Sequence, residues 1–198
     1  MKSEDELVRV IDSGSVSALA SLLAEGFDPN QLLEALTPLT HATMNDATEI
    51  VELLLKNGAN VSGRNRDGST ALSTANLEIT ALLLQYGAKV SDELGVQAPS
   101  CLHYAASLGQ TERLRLLLSE RADGRSCLLW LDPEGKTPLG CGVEAGEVEV
   151  VKLLLNSGAE IDDNELTVDF NRPLALAADY GHQHVLELLE AWKTAKGK

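Results

Sequence analysis

The residues best suited to acid–base, nucleophilic or metal chemistry in this chain are four histidines and three cysteines: His41, His103, His182, His184, Cys101, Cys127 and Cys141. His182-x-His184 places two imidazoles close together, but a metal site needs a third ligand at a defined spacing, and none stands there. The cysteines are odd in number and lie 26 and 14 residues apart. That fits neither a disulfide framework nor paired metal ligands, so reduced, partly buried thiols are expected. A nucleophilic thiol needs a basic neighbourhood, which an acidic chain does not advertise. Gly-x-Gly-x-x-Gly, Gly-x-x-x-x-Gly-Lys-Ser/Thr, Gly-x-Ser-x-Gly and His-Glu-x-x-His are all missing. The expectation is a protein without catalytic residues, metal or cofactor, and not an enzyme.

Charge narrows the partners. The 198 residues carry 16 Lys plus Arg against 30 Asp plus Glu, a net charge of −14, with a pI of about 4.6. Phosphate binding draws its affinity from Lys and Arg, so neither nucleic acid nor an anionic membrane is expected as a partner. No apolar run approaches the roughly 18–20 residues of a bilayer span; the most notable is Cys127-Leu128-Leu129-Trp130-Leu131. Met1-Lys2-Ser3-Glu4-Asp5-Glu6 is acidic where a secretory signal is basic and then apolar. A cytoplasmic, unexported protein is expected.

What would position any of these residues is a repeat. One copy runs Thr37-Pro38-Leu39, Ala42, then Glu49-Ile50-Val51-Glu52-Leu53-Leu54-Leu55-Lys56-Asn57-Gly58-Ala59. A second runs Thr137-Pro138-Leu139, then Gly146-Glu147-Val148-Glu149-Val150-Val151-Lys152-Leu153-Leu154-Leu155-Asn156-Ser157-Gly158-Ala159. Four weaker copies align with Gly26, Gly58, Gly87, Arg121, Gly158 and Lys193 as equivalents, 29 to 37 residues apart. Thr37, Thr70, Ser100 and Thr137 suit a helix N-cap, with Pro38, Pro138 and Pro173 at the first helical position. Small pairs such as Ala105-Ala106 and Ala177-Ala178 let helices approach closely. Ile50, Val51, Leu53, Leu54 and Leu55 make a second helix with a wide apolar face, and Gly26, Gly58, Gly87 and Gly158 suit left-handed C-caps.

This pattern resembles the ankyrin repeat, with its period near 33 residues and Thr-Pro-Leu-His-x-Ala opening. The resemblance covers nearly the whole chain and implies an all-α ankyrin-repeat solenoid of helix-turn-helix units with short hairpin or loop connectors. A single domain over 1–198 is expected, with repeats near 3–30, 35–62, 67–91, 98–123, 133–162 and 170–195. The first, opening on a Ser3-x-x-Glu6 capping box, reads as an N-terminal cap, and the last, ending in polar residues, as a C-terminal cap; the chain is then expected to be the whole protein. The third copy is about four residues short between Asn76 and Leu77, which predicts a truncated helix pair and a local change of curvature. Residues 123–134 and 162–171 are long connectors. The family match also implies that His103 is a structural, backbone-bonded histidine, that His182 belongs to a Gly-His pair opening a second helix, and that Gly140-Cys141-Gly142 is a first-helix position.

In such stacks the first helices and hairpin tips form a concave surface that binds proteins. The aligned positions are His41, Met44, Asn45, Tyr104, Ser107, Leu108, Glu144, Ala145, Asp179 and Tyr180, with Asn65, Arg66, Trp130, Asp132 and Glu134 at hairpins. Trp130 sits in an apolar run within a connector that ought to be polar, and Trp is enriched at binding hot spots; the alternative is that the run packs back on its own repeat. Between Asp132 and Asp169 ten acids, Asp162 and Asp163 among them, face only Lys136 and Lys152. This is either a solubilising surface or a face that steers a basic partner. The expected binding residues are Tyr104, Leu108, Trp130, Asp132, Glu134, Glu144, Asp162, Asp163, Asp179 and Tyr180. The expected function is non-enzymatic binding of a basic protein by a monomer through the concave face and acidic C-terminal half. Two forms are open: a dedicated inhibitor or immunity partner of a toxin such as a nuclease, and a regulatory adaptor in a signalling or transcription-factor complex.

Overall fold

Three of the first helices start where a threonine hydroxyl caps them, after Thr37, Thr70 and Thr137, whereas the one at Pro173 follows Arg172, which makes no side-chain cap. In the computed structural model, which describes residues 4–93, 98–119, 126–161 and 172–196, Thr37 Oγ1 accepts from the Thr40 N–H at 3.1 Å and Thr137 Oγ1 from the Gly140 N–H at 3.2 Å. Pro38 and Pro138 follow at the first helical positions, where an N–H would have no intrahelical acceptor. The expected Ser3 capping box lies outside the described residues.

The chain divides into two compact units, Met1–Val96 and Gln97–Lys198. The first holds α1 (Glu4–Asp12), α2 (Val16–Ala24), α3 (Pro38–Met44), α4 (Thr48–Lys56), α5 (Ala71–Thr74) and α6 (Leu77–Gln85). The second holds α7 (Cys101–Ser107), α8 (Thr111–Ser119), α9 (Pro138–Glu144), α10 (Val148–Asn156), α11 (Pro173–Asp179) and α12 (Gln183–Lys196). Single turns of 3₁₀-helix span Val90–Glu93 and Ser126–Leu129. Each copy is a helix-turn-helix, and no strands occur among the described residues beyond two isolated bridges. None of the described helices is long and apolar enough to cross a membrane.

The second helices end as their glycines require. At Gly58 (φ +86°) the backbone turns left-handed, the Gly58 N–H reaches Leu55 O at 3.1 Å and the Ala59 N–H reaches Leu54 O at 3.0 Å. This pair of bonds satisfies two orphan carbonyls. The same pair recurs at Gly158 and Ala159. Above each cap the leucine-rich face is buried: Ile50, Val51, Leu54 and Leu55 in the first unit, and Val150, Val151, Leu154 and Leu155 in the second. Burial of a side chain of this size stabilises by about 1.5–3 kcal/mol, and α4 and α10 are each covered by the first helix of their own copy and by the second helices of the adjacent copies.

The short third copy keeps its second helix and loses most of its first. Helix α5 has four residues; Ala75 is already extended, and Asn76 caps α6 at once by accepting from the Ile79 N–H at 2.9 Å. Neighbouring copies also interlock at their turns. Asn76 Nδ2 donates to Asp46 Oδ1 at 2.8 Å, the Glu147 carboxyl packs on Gly109, and the His182 ring packs on Gly146. In each case the residue opening a second helix seats on the turn of the copy before it.

Candidate functional site

The groove of the second unit is organised by one hairpin tip, Asp132-Pro133-Glu134-Gly135-Lys136. Its sequence is that of a tight turn. Asp132 Oδ1 accepts from the Glu134 N–H at 2.9 Å and the Lys136 N–H at 2.8 Å, while the Asp132 N–H donates to Lys136 O at 2.9 Å. The turn is fastened to α7 by His103. The Ser100 N–H donates to His103 Nδ1 at 3.1 Å, which leaves Nε2 as the protonated nitrogen, donating to Trp130 O and Lys136 O at 3.1 Å each. Burial holds the ring's pKa below the ordinary histidine value, although the nearby Asp132 charge opposes this. His103 is thus the backbone-bonded histidine that the family resemblance implies.

This turn delivers Lys136 into the groove. Its side chain, 10% exposed, has its ammonium bonded to Glu134 Oε2 at 2.7 Å and to Glu144 Oε2. Burial disfavours the charge, but the two carboxylates more than offset it and raise the lysine above its usual range. Burial likewise acts to raise Glu144, yet the hydrogen bonds from Lys136 and Tyr180 keep its carboxyl below the usual carboxylate value. The Tyr180 hydroxyl donates to Glu144 Oε1 at 2.6 Å, which raises its own pKa. The Tyr180 ring stacks on His182, with centroids 6.2 Å apart and planes 13° from parallel, and His182 Nε2 lies 2.8 Å from Glu144 O.

Two cavities open on this network. One, of about 410 Å³, includes Tyr104, Ser107, Asp132, Glu134, Lys136 and Glu144 in its walls. The other, of about 590 Å³, is walled by Pro133, Glu134, Lys136, Glu144, Leu176, Asp179 and Tyr180. Their shared residues, Glu134, Lys136 and Glu144, make them one groove past α7, α9 and α11. Seven of the expected binding residues are therefore accounted for in two ways: Tyr104, Asp132, Glu134, Glu144, Asp179 and Tyr180 line the groove, whereas Leu108 stands 62% exposed outside both cavities. Trp130 lines neither cavity; it is half-buried, and its carbonyl serves His103. Its apolar run splits, with Cys127 and Leu128 buried and Leu129 and Leu131 more than half exposed. Asp162 and Asp163 lie outside the described residues.

In the first unit, His41 Nε2 pairs with Asp12 Oδ1 at 2.7 Å, and Asn45 Nδ2 donates to the same oxygen at 2.9 Å. These bonds hold the Asp12 carboxyl below its usual value. Asn65, expected at a hairpin surface, is buried instead: its Oδ1 accepts from the Thr37 N–H at 2.9 Å and its Nδ2 donates to Ser69 Oγ at 2.9 Å.

The arrangement offers little to catalysis. The Cys141 thiol, 3.6 Å from Asp132 Oδ2, is pushed up to about 12 by burial and by the Asp132 charge, so it stays protonated. His103, with both ring nitrogens engaged, is not available as its base. Among the described residues no group of three or more His, Cys, Asp or Glu could hold a metal ion. What remains is a polar groove on a scaffold of helix pairs, the form of a protein–protein interaction module.

The scaffold has relatives. The model of the family "Ankyrin repeats (3 copies)" matches residues 7–93, 76–165 and 102–196, and the chain belongs to the ankyrin-repeat family. The human ASB11 ankyrin repeat domain superposes with a TM-score of 0.78 at 29% identity, over 94% of this chain and 82% of that one. A Caenorhabditis elegans homologue of transient receptor potential cation channel subfamily A member 1 is 30% identical over 157 residues, 76% of this chain and 12% of its own length. The ankyrin repeat protein FPV014 of fowlpox virus is 29% identical over 167 residues, 81% of this chain and 37% of its own. The chain thus spans well under half the length of these two relatives.

Lys136 is the residue of the groove that the sequence does not single out, being only one of two cations in an acidic stretch. The Asp132-Pro133-Glu134-Gly135 turn was the available signal, since a tight turn brings residue 136 back beside residue 132.

Proposed function

We propose that the second unit binds a basic protein partner along the groove past α7, α9 and α11, without catalysing a reaction. The observation that carries this reading is the charge of the groove: four carboxylates, Asp132, Glu134, Glu144 and Asp179, share its walls with one ammonium, Lys136. Such a field speeds encounter with a cationic surface and disfavours an anionic one. Tyr104 and Tyr180 supply aromatic contact in the groove, Leu108 and Trp130 add apolar surface outside its two cavities, and Asp162 and Asp163 add charge in the same stretch of sequence. In the sharper form of this proposal the chain is an inhibitor that covers a cationic site on a toxin such as a nuclease. Its setting is the cytoplasm, and it is a monomer until it meets the partner.

The test is co-purification from the native host with the chain as bait, at low and high salt, beside a Glu134→Lys/Asp179→Lys variant and a Trp130→Ala variant. The expected result is a basic protein recovered at low salt, diminished at high salt and lost from the charge-reversed bait. Recovery of the same partner by the charge-reversed bait would reject the groove as its site.

A further inference from the structure

We propose that the cavity walled by Glu134, Lys136, Glu144, Leu176, Asp179 and Tyr180 receives an arginine side chain carried on an extended segment of the partner. This rests on the groove reading above and adds what the groove selects. A guanidinium is planar, presents donors in its plane to carboxylates and stacks its face on aromatic rings. The cavity offers both kinds of partner over an apolar floor of Pro133 and Leu176.

Tyr180 is prepared for that role. Its hydroxyl is fixed on Glu144 and its ring is stacked on His182, yet the residue is 55% exposed. An exposed ring already held in place loses little conformational freedom when a ligand packs on it. The carboxylates are prepared unequally. Lys136 is drawn between Glu134 and Glu144 although burial disfavours its charge, so these acids already hold one cation. Asp179, one residue before Tyr180 and on the wall of the same cavity, has no ion pair or side-chain hydrogen bond among the described residues and is exposed. The carboxylate that Lys136 does not engage therefore lies beside the aromatic surface. A compact ammonium can pair with Asp179 but has no flat face to lay on Tyr180, whereas a guanidinium reaches Asp179 while stacking on that ring.

The test uses a phage-displayed library of random linear peptides selected on the full chain, followed by titration calorimetry with the recurring peptide and its Arg→Lys and Arg→citrulline forms. Arginine is expected at a fixed position, with both replacements weakening Kd by about tenfold or more. Tyr180→Ala and Asp179→Asn are each expected to weaken the arginine peptide by about fivefold or more while leaving the citrulline form nearly unchanged. Tyr180→Phe keeps the ring and retains most of the affinity, which separates loss of the aromatic surface from loss of the Glu144 bond. Val16→Ala, on an exposed residue of α2 in the first unit, changes nothing. Full tolerance of lysine, or an arginine peptide indifferent to Tyr180→Ala, overturns the proposal. Recurring peptides that lack arginine but are lost on Glu134→Lys/Asp179→Lys overturn the arginine pocket and leave the groove standing. Peptides indifferent to all groove substitutions, or no enriched peptide at all, overturn both.

Discussion

Replacing Lys136 by methionine keeps the aliphatic stem and removes the ammonium. The pair with Glu134, whose side chain is 71% exposed, is a surface contact worth about 0.2–1 kcal/mol. The pair with Glu144 is more enclosed, with side chains 10% and 26% exposed. It falls between that surface value and the roughly 3–5 kcal/mol lost on breaking a fully buried pair. Together they set the expected loss near 2 kcal/mol, about 4–8 °C in thermal midpoint for a chain of this length. The pH dependence separates this account from a simple packing defect. In the wild type the Glu144 pKa is depressed below its unfolded value, so its stabilisation is present above the usual carboxylate range and lost as pH falls through the folded value. The gap between wild type and Lys136→Met should therefore be full at neutral pH and shrink in acid, where a protonated Glu144 needs no cation. Adding Glu144→Gln should restore much of the loss, because the two single effects share one interaction. Thermal and urea unfolding followed by circular dichroism at neutral pH and near pH 3 would check this. A midpoint within about 1 °C of wild type, or a gap equal at both pH values, would refute the reasoning.

Three further outcomes are expected. His103 is buried with a pKa below its unfolded value, so it contributes stability above about pH 6.5 that is lost as pH falls through the folded value; a His103→Gln variant should lose this acid-dependent component in pH-resolved melts. Gly146→Ala combines φ +73° with a Cβ 2.7 Å from the His182 ring, and should cost more than the roughly 1 kcal/mol of left-handed strain alone, whereas Gly58→Ala, with nothing within 4 Å, should cost only that strain; comparing their melting temperatures decides it. The third copy, with its four-residue α5, should open before the others, so amide exchange placing residues 67–90 among the slowest segments would contradict this.

The parts of the fold that were legible in sequence are those governed by local chemistry. Thr37, Thr137 and Pro138 announce helix starts through caps and a missing N–H, Gly58 and Gly158 announce helix ends, and the gap at Asn76 announces the short α5. The groove was half legible. Register along the repeat placed Glu144, Asp179 and Tyr180 correctly relative to their helices, but a count of charges treats every acid alike. Whether Glu144 presents a bare charge depends on Lys136, eight residues away across the hairpin, and on Tyr180, 36 residues away. Asn65 was misread for the same reason: a polar residue beside a turn looks solvent-facing until the backbone of the preceding copy is seen to need its amide. In the run Leu128-Leu129-Trp130-Leu131, composition cannot tell which side chain the 3₁₀ turn rotates inward; here it is Leu128 and not Leu129.

The seating of one copy on the turn of the one before gives the second unit a polarity like that of stacked cups. Gly109 is filled by Glu147 and Gly146 by His182, while the equivalent Gly181 has no atom of the described residues within 4 Å of where its Cβ would stand. Each seat is shaped for a particular guest, a branched carboxylate in one case and a flat ring in the other. The copies are therefore not interchangeable parts. Recombining them in a new order would set a ring against the seat that holds a carboxylate, while a copy grafted after α12 meets at Gly181 an open seat that any side chain able to approach a bare backbone can fill.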